Sequence, residues 1–276
     1  MLAWINGLES PLESASLRPD DLGLQRGYAA FEFLRSEHGR LFHLDDHLRR
    51  LETSARLIGL TLPMNRSELA TLCHGLAERS GLAVPAIRIL LTGGYAAVPT
   101  ADRRPNLIVI AEPVTEFADE LYCTGIAIIG VEFQRECPVA KTNNYLNTFR
   151  VESLMKASQA DDVVYHWNGM VTEAPRSNIF AVIADRVVTP RHDILLGVTR
   201  QTILDLAVSH GLTVEERVLS LSELQSANEI FLTSTTRRVL PVTRLDSRPV
   251  GDGQVGRVTT QIMQLFRSYI DSGNWE

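Results

Sequence analysis

Apolar residues recur along this chain with two rhythms, and each predicts its own kind of element. Period-two alternation, or a short apolar run between turn formers, marks strands near residues 2–6, 31–35, 40–43, 86–91, 106–111 and 125–132. In the second half the same signal returns at 162–166, after the polar break Glu173 to Asn178, before Thr189-Pro190, and at 229–234. Helical spacing appears where Leu48, Leu51, Ala55 and Ile58 share one face, predicting a helix over 46–59 capped by Asp45 or Asp46. Further helices are predicted at 66–80, near 146–158, from Val198 to 210, and at the C-terminal end. Two turn signals stand out. His38-Gly39 and Asn168-Gly169 each separate alternating runs, as hairpins require. The stretch Glu112–Tyr122, with Pro113, reads as a passage between two domains, and 276 residues suffice for two.

Composition narrows the function classes. A net charge of -6, with no basic run longer than two residues, argues against a nucleic-acid partner. Three scattered cysteines make neither a disulfide framework nor a metal knuckle, and seven scattered histidines speak against a metal centre. The start Met1-Leu-Ala-Trp lacks a signal-peptide pattern, and no apolar run approaches the ~20 residues of a membrane span, so a cytoplasmic protein is expected.

Lysine is where the chemistry starts. Of 27 basic residues only Lys141 and Lys156 are lysines. Lys156 follows Glu152 by four residues on a predicted helix, which reads as a surface ion pair. Lys141 instead follows the apolar, Pro-containing run Cys137-Pro138-Val139-Ala140 and precedes a short polar stretch. An amine held and partly desolvated at such a place can attack a carbonyl; the alternative is a solvated surface charge. Arg88 interrupts the apolar run 86–91, so it either faces water or takes an anionic partner. Arg26 and Tyr28, among the glycines near 23–27, could line a cavity. Leu195-Leu196-Gly197-Val198-Thr199 opens a helix and could seat an anion on free backbone N–H groups. The hydroxyl run Thr233-Ser234-Thr235-Thr236 offers a second seat. Gly251-Asp252-Gly253-Gln254-Val255-Gly256 matches a dinucleotide fingerprint as text, but too little chain follows it, and it reads as a turn before the last helix.

A Schiff-base lysine, two phosphate seats and an acidic residue make up the inventory for pyridoxal 5'-phosphate. Six blocks then carry a family resemblance over essentially the whole chain. They are Arg26-Gly27 with Phe31-Glu32; His47 to Leu51 with Ser54-Ala55; Lys141 to Tyr145; Glu173 to Asn178; Leu195 to Arg200; and Thr235 with Pro241-Val242. The chain resembles the class IV, or fold-type IV, aminotransferases. That resemblance implies an α+β fold of the D-amino-acid aminotransferase type: a small domain at 1–114, a linker at 115–119, and a large domain at 120–276 holding the lysine. The cofactor would lie in the cleft between domains, and the protein would be a homodimer. Lys141 would hold the cofactor as an aldimine and shuttle a proton, while Glu173 would pair with the pyridine nitrogen. Arg50, Val198, Thr199, Ser234 and Thr235 would serve the phosphate. Tyr145, one residue closer to the lysine than in branched-chain enzymes, would meet the phenolic oxygen; Leu195 would pack on the ring, with Asn178 also on the cofactor side. Arg26, Tyr28, Phe31, Arg88, Arg176 and Thr236 would form the substrate side.

Within the family, the best known D-amino-acid transaminases place an Arg-x-His pair in the loop that corresponds to Thr92–Pro105, and this chain has none. Branched-chain enzymes usually carry an aromatic where Arg26 stands. Arg26, Arg88 and Arg176 together, with Gln134-Arg135-Glu136-Cys137-Pro138 ahead of the lysine, look like a variant group of D-amino-acid transaminases. The expected reaction is ping-pong transfer between an amino donor and a 2-oxo acid such as 2-oxoglutarate or pyruvate. An L-branched-chain aminotransferase, a primary-amine transaminase, aminodeoxychorismate lyase and a non-catalytic homologue are the alternatives.

Overall fold

The computed structural model describes residues 1–275, which divide into two compact units. The first contains Met1–Thr115, Ala140–Asn144 and the C-terminal residues from Asn274. Its elements run β1 (Leu2–Ile5), β2 (Leu8–Pro11), α1 (Leu22–Arg26), β3 (Ala29–Glu37), β4 (Arg40–Leu41), α2 (Leu44–Leu57), α3 (Arg66–Arg79), β5 (Pro85–Thr92) and β6 (Asn106–Pro113). The strands form a sheet in the order β2-β1-β6-β5-β3-β4, every neighbouring pair antiparallel. Helices α2 and α3 cover one face. Ala30 and Leu34 from β3, and Ile87, Ile89 and Leu91 from β5, meet Leu48, Leu51, Leu69 and Leu76 there in one buried cluster. Alternation leaves Phe31 and Phe33 of β3, and Arg88 and Leu90 of β5, on the opposite face. Trp275, 1% exposed, packs against Phe42 and lies beneath the Arg40 guanidinium.

The second unit contains Glu116–Val139 and Tyr145–Gly273. It holds α4 (Asp119–Thr124), β7 (Ile126–Glu132), α5 (Leu146–Arg150), α6 (Glu152–Ala157), β8 (Asp162–Trp167), β9 (Met170–Val171), β10 (Asn178–Ile183) and β11 (Arg186–Pro190). It continues with α7 (Val198–Ser209), β12 (Thr213–Arg217), α8 (Leu221–Gln225), β13 (Glu229–Ser234), β14 (Arg238–Leu245), β15 (Arg248–Pro249) and α9 (Arg257–Ser272). The sheet order is β12-β11-β10-β13-β14-β7-β8-β9, with β15 on β14. Parallel pairs occur at β11–β12, β14–β7 and β7–β8. Parallel neighbours need a crossover, and α7 supplies the one from β11 to β12. Among the described residues, no helix is long and apolar enough to cross a membrane.

Several boundaries differ from those the pattern predicts, each for a local reason. Helix α2 begins at Leu44, so Asp45 and Asp46 sit in its first turn; the capping position belongs to His43, whose ring meets Asp46. Glu112 and Pro113, expected in the interdomain passage, extend β6. Proline ends a strand without loss because its missing N–H falls beyond the ladder. The predicted helix 146–158 is two short helices, α5 and α6, meeting at Val151. Lys156 makes no ion pair with Glu152 among the described residues, although both lie on α6. Lys141, expected in the second domain, packs with the first unit. Its segment lies along β3, where Phe31 N–H donates to Lys141 O at 2.9 Å and Asn143 N–H to Ala29 O at 3.2 Å. The Gly251–Gly256 stretch is a turn, and Glu229 caps the helix that follows by accepting from the Val258 and Thr259 N–H groups.

Leu51 is fully buried between α2 and the first sheet. Truncating it to alanine leaves a void the close-packed face cannot fill. Leu51→Ala is expected to destabilise the protein by about 2–5 kcal/mol, read as a lowered urea midpoint.

Candidate active site

In the first unit the chemistry is organised on the strand–helix contact of β3 with α2. Glu32 falls on the helix-facing side of β3, between Ala30 and Leu34, with no exposed surface. A buried carboxylate demands donors, and α2 supplies them at helical spacing. Arg50 grips it side-on, Nε to Oε2 at 2.9 Å and Nη2 to Oε1 at 2.7 Å. His47 Nδ1 lies 3.1 Å from Oε1, and the Phe33 N–H donates to the same oxygen at 2.8 Å. Burial by itself would raise the Glu32 carboxyl, but Arg50 and His47 outweigh it and hold it far below the carboxylate range. Burial pushes His47 down from its ordinary 6.5; Glu32 opposes this, and the Arg50 and Lys141 charges add to it. A neutral His47 then donates from Nδ1 to Glu32.

One turn along α2, Ser54 is also buried, and its Oγ accepts the Lys141 backbone N–H at 3.0 Å. With the Phe31 bond, this pins the main chain of Lys141 on both sides. The side chain crosses to the other face of the sheet, where Nζ lies 4.6 Å from the Phe31 ring centroid.

In the second unit, Glu173 stands at the start of the polar break and is buried. Its backbone carbonyl still pairs with Tyr165 N–H of β8 at 2.8 Å, which fixes its direction. Oε1 accepts from Arg135 Nη1 at 2.7 Å, and Oε2 from Leu195 N–H at 3.0 Å. Arg135 also donates to Pro138 O. Asn178 clips this cluster together, giving its side-chain N–H to Leu195 O at 2.7 Å and lying 3.4 Å from Glu173 Oε2. Gly197 must lack a side chain here, because a Cβ would stand 2.2 Å from Asn178 Oδ1. Gly197 precedes α7 with no side-chain cap, so the first turn, from Val198 and Thr199, keeps its uncapped N–H groups.

The other predicted residues are distributed as follows. Tyr28 gives its hydroxyl to Ile58 O at 2.9 Å, and its ring packs against the first core. Arg26 is exposed and donates to Gln25 O. Arg88 is paired with Glu112 and lies over Phe33. Arg176 is exposed at the tip of the Ala174–Ser177 turn. Ser234 Oγ accepts from Arg237 N–H, while Thr235 and Thr236 lie half-buried in the β13–β14 turn. Tyr145 precedes α5. Thus Lys141, Arg50 and Phe31 belong to one unit, and Glu173, Asn178, Leu195, Val198 and Thr199 to the other.

Sequence reasoning passed over Glu32, His47, Ser54 and Arg135 as functional groups. The first three carry a legible signal: Ala30-Glu32-Leu34 puts an acid on a buried strand face, and His47, Arg50 and Ser54 share a helical stripe. Arg135 stands in the run singled out ahead of the lysine, but nothing local marks its pairing, because the partner is 38 residues away.

Known proteins resemble this chain in both sequence and fold. A family model described as amino-transferase class IV matches residues 29–245. A D-alanine aminotransferase from Staphylococcus epidermidis is 30% identical, with 98% of each chain covered. Branched-chain-amino-acid aminotransferase-like protein 2 from Arabidopsis thaliana is 31% identical over 98% of this chain, which spans about half the length of that relative. Among solved structures, the Escherichia coli branched-chain amino acid aminotransferase superposes with a TM-score of 0.91 at 28% identity, covering 99% of this chain and 97% of that one. A second branched-chain amino acid aminotransferase, from T.th. and solved with pyridoxamine 5'-phosphate, gives 0.90 at 26% identity, covering 98% and 93%.

The Glu32–His47 pair sets an acid limit on stability. Both groups have depressed values in the folded state, so the unfolded chain binds more protons as pH falls. Their contribution is complete above pH 6.5 and is lost first through His47, then through Glu32 below 4.5. Urea midpoints should hold level from about pH 8 to 7 and fall on acidification through the imidazole range. His47→Gln should flatten the upper part of that fall and leave the lower part.

Proposed function

The chain belongs to the class IV amino-transferases, and from that premise we propose that it is a pyridoxal 5'-phosphate-dependent D-amino-acid transaminase. It would pass an amino group between D-amino acids and 2-oxo acids such as 2-oxoglutarate or pyruvate, in two ping-pong half-reactions. The observation that carries the activity is the placement of Lys141. Its backbone is held by Phe31 and Ser54, and its amine rests against an aromatic face with the rest of the side chain half-buried.

Pyridoxal phosphate supplies a carbonyl for that amine and a ring that takes up electrons from the substrate α-carbon. The residues present suit such a group. Glu173 is a carboxylate fixed in direction by Leu195 and Arg135, suited to keep a proton on a ring nitrogen. Val198 and Thr199 open a 12-residue helix with an uncapped first turn, suited to a phosphate. Thr233 Oγ1 is buried and without a hydrogen-bond partner among the described residues, directly across from Asn178 in the strand register. Thr235 and Ser234 add hydroxyls, and Arg50 adds a guanidinium whose Nε–Nη2 edge is committed to Glu32. Lys141 Nζ would hold the cofactor and, once displaced by substrate, take a proton from the α-carbon and return it. Tyr145, Leu195 and Asn178 complete the cofactor side; Arg26, Tyr28, Phe31, Arg88, Arg176 and Thr236 are assigned to the substrate. A cytoplasmic homodimer acting on small-molecule amino donors and 2-oxo acids belongs to the same proposal.

Support for the D-series comes from the staphylococcal D-alanine aminotransferase, which aligns end to end with this chain, and from the arginines available for a carboxylate. An L-branched-chain reading is favoured by the solved branched-chain enzymes and by the apolar character of Phe31, Phe33 and Leu90 on one sheet face. Absorbance titration of the yellow holoenzyme separates the two. D-alanine and D-glutamate should convert the visible band to the pyridoxamine form, with L-leucine and L-glutamate inert. Conversion by L-leucine alone would transfer the chain to the branched-chain class. Lys141→Ala should lower turnover by at least about 10³-fold, as expected for loss of a nucleophile that also serves as the base.

A further inference from the structure

The exposed-face partner of Arg88 is a residue that strand β6 brings to it. Arg88 stands opposite Ile110 in the β5–β6 register, and Glu112 stands opposite Ala86, one same-face step away. The Glu112 carboxylate takes the side edge of the guanidinium, with Nε 3.1 and 3.2 Å from its two oxygens and Nη2 2.5 Å from Oε1. The guanidinium carbon lies 4.9 Å from the centre of the Phe33 ring, and Phe33 is the β3 residue directly across from Arg88. Nη1 makes no hydrogen bond among the described residues, and Arg88 keeps 36% of its side chain exposed.

Lys141 shares this face. Phe31, under the Lys141 amine, is two residues before Phe33 on β3, and same-face neighbours on a strand lie about 7 Å apart. The rings beneath the amine and the guanidinium are therefore one same-face step apart on β3, with the Lys141 segment along one edge of that strand and β5 along the other. A guanidinium has two carboxylate-binding edges. Glu112 fills the one at Nε, which fixes the plane of the group and directs the Nη1 edge away from the β6 side.

We propose that Glu112 is a positioning and specificity-setting residue for a substrate carboxylate at Arg88. By holding the Nε edge it presents the Nη1 edge to the carboxylate of a 2-oxo or amino acid held beside Lys141. By its charge it also weakens that site, so substrate and product carboxylates leave readily. This rests on the transaminase reading for the identity of the substrate, but not for the binding of a carboxylate as such.

The test separates the two. Calorimetric titration of the holoenzyme with glutarate, an unreactive carboxylate, reads binding without turnover. Steady-state kinetics with 2-oxoglutarate then reads KM against kcat. Glu112→Gln keeps an acceptor for Arg88 and removes the charge, so glutarate should bind about three- to tenfold tighter and KM should fall, with kcat within twofold. Glu112→Leu releases the guanidinium, so binding should weaken and KM should rise. Arg88→Leu should abolish glutarate binding. The proposal is overturned if wild-type protein does not bind glutarate, if Arg88→Leu binds it as well as wild type, or if neither Glu112 variant moves affinity or KM. Holoenzyme that binds glutarate as described but transfers no amino group would remove the transaminase reading and leave the Arg88–Glu112 site standing.

Discussion

The carboxylate of Glu32 is the constraint from which the first unit follows. It is placed on a fully buried strand face by the alternation of Ala30, Glu32 and Leu34, where an unpaired charge would be untenable. Removing a partner from such a pair typically costs about 3–5 kcal/mol, so the helix that supplies the partners is bound to the strand in one register. That register sets where α2 presents His47, Arg50 and Ser54. Ser54 then holds the backbone of Lys141, and Lys141 closes a further bridge to β3. The amine proposed to react is thereby supported by main-chain bonds to β3 and α2.

The second unit uses the same physics with the signs arranged differently. Glu173 is buried, and it accepts from a guanidinium, a backbone N–H and an amide that stand 38, 22 and 5 residues away in sequence. Asn178 and Gly197 work as a pair here, since the close approach of Gly197 leaves room for no Cβ beside Asn178. The loop before α7 is thus drawn tight against Glu173, and the uncapped helix start lies next to it along the chain. Each unit pairs a buried carboxylate with an arginine.

What the sequence made legible was local. Lysine scarcity singled out Lys141, and the odd guanidinium in an apolar run singled out Arg88. The hairpin at Asn168-Gly169 was readable because both residues adopt positive φ, 48° and 74°. What stayed hidden was non-local or turned on an element boundary. The apolar pattern marks this strand only to Ala111, so it assigns Glu112 to the passage between domains and shows Arg88 no partner, whereas β6 runs on to Pro113. Sequence order groups Lys141 with the residues that follow it, whereas its backbone bonds run back to Phe31 and Ser54. Tyr28 stays on the proposed substrate side, but the sequence does not show that its hydroxyl proton is given to the Ile58 carbonyl, 30 residues away. None of these pairings leaves a periodic mark in the chain.

Lys141, and not Lys156, is the lysine proposed to carry the cofactor. Borohydride reduction of the protein loaded with pyridoxal phosphate fixes the cofactor to whichever lysine binds it, and peptide mass mapping then locates the added mass. A single modified peptide containing Lys141, with Lys156 unmodified, is expected. Label on Lys156, or no label on a protein that has taken up the cofactor, would contradict it.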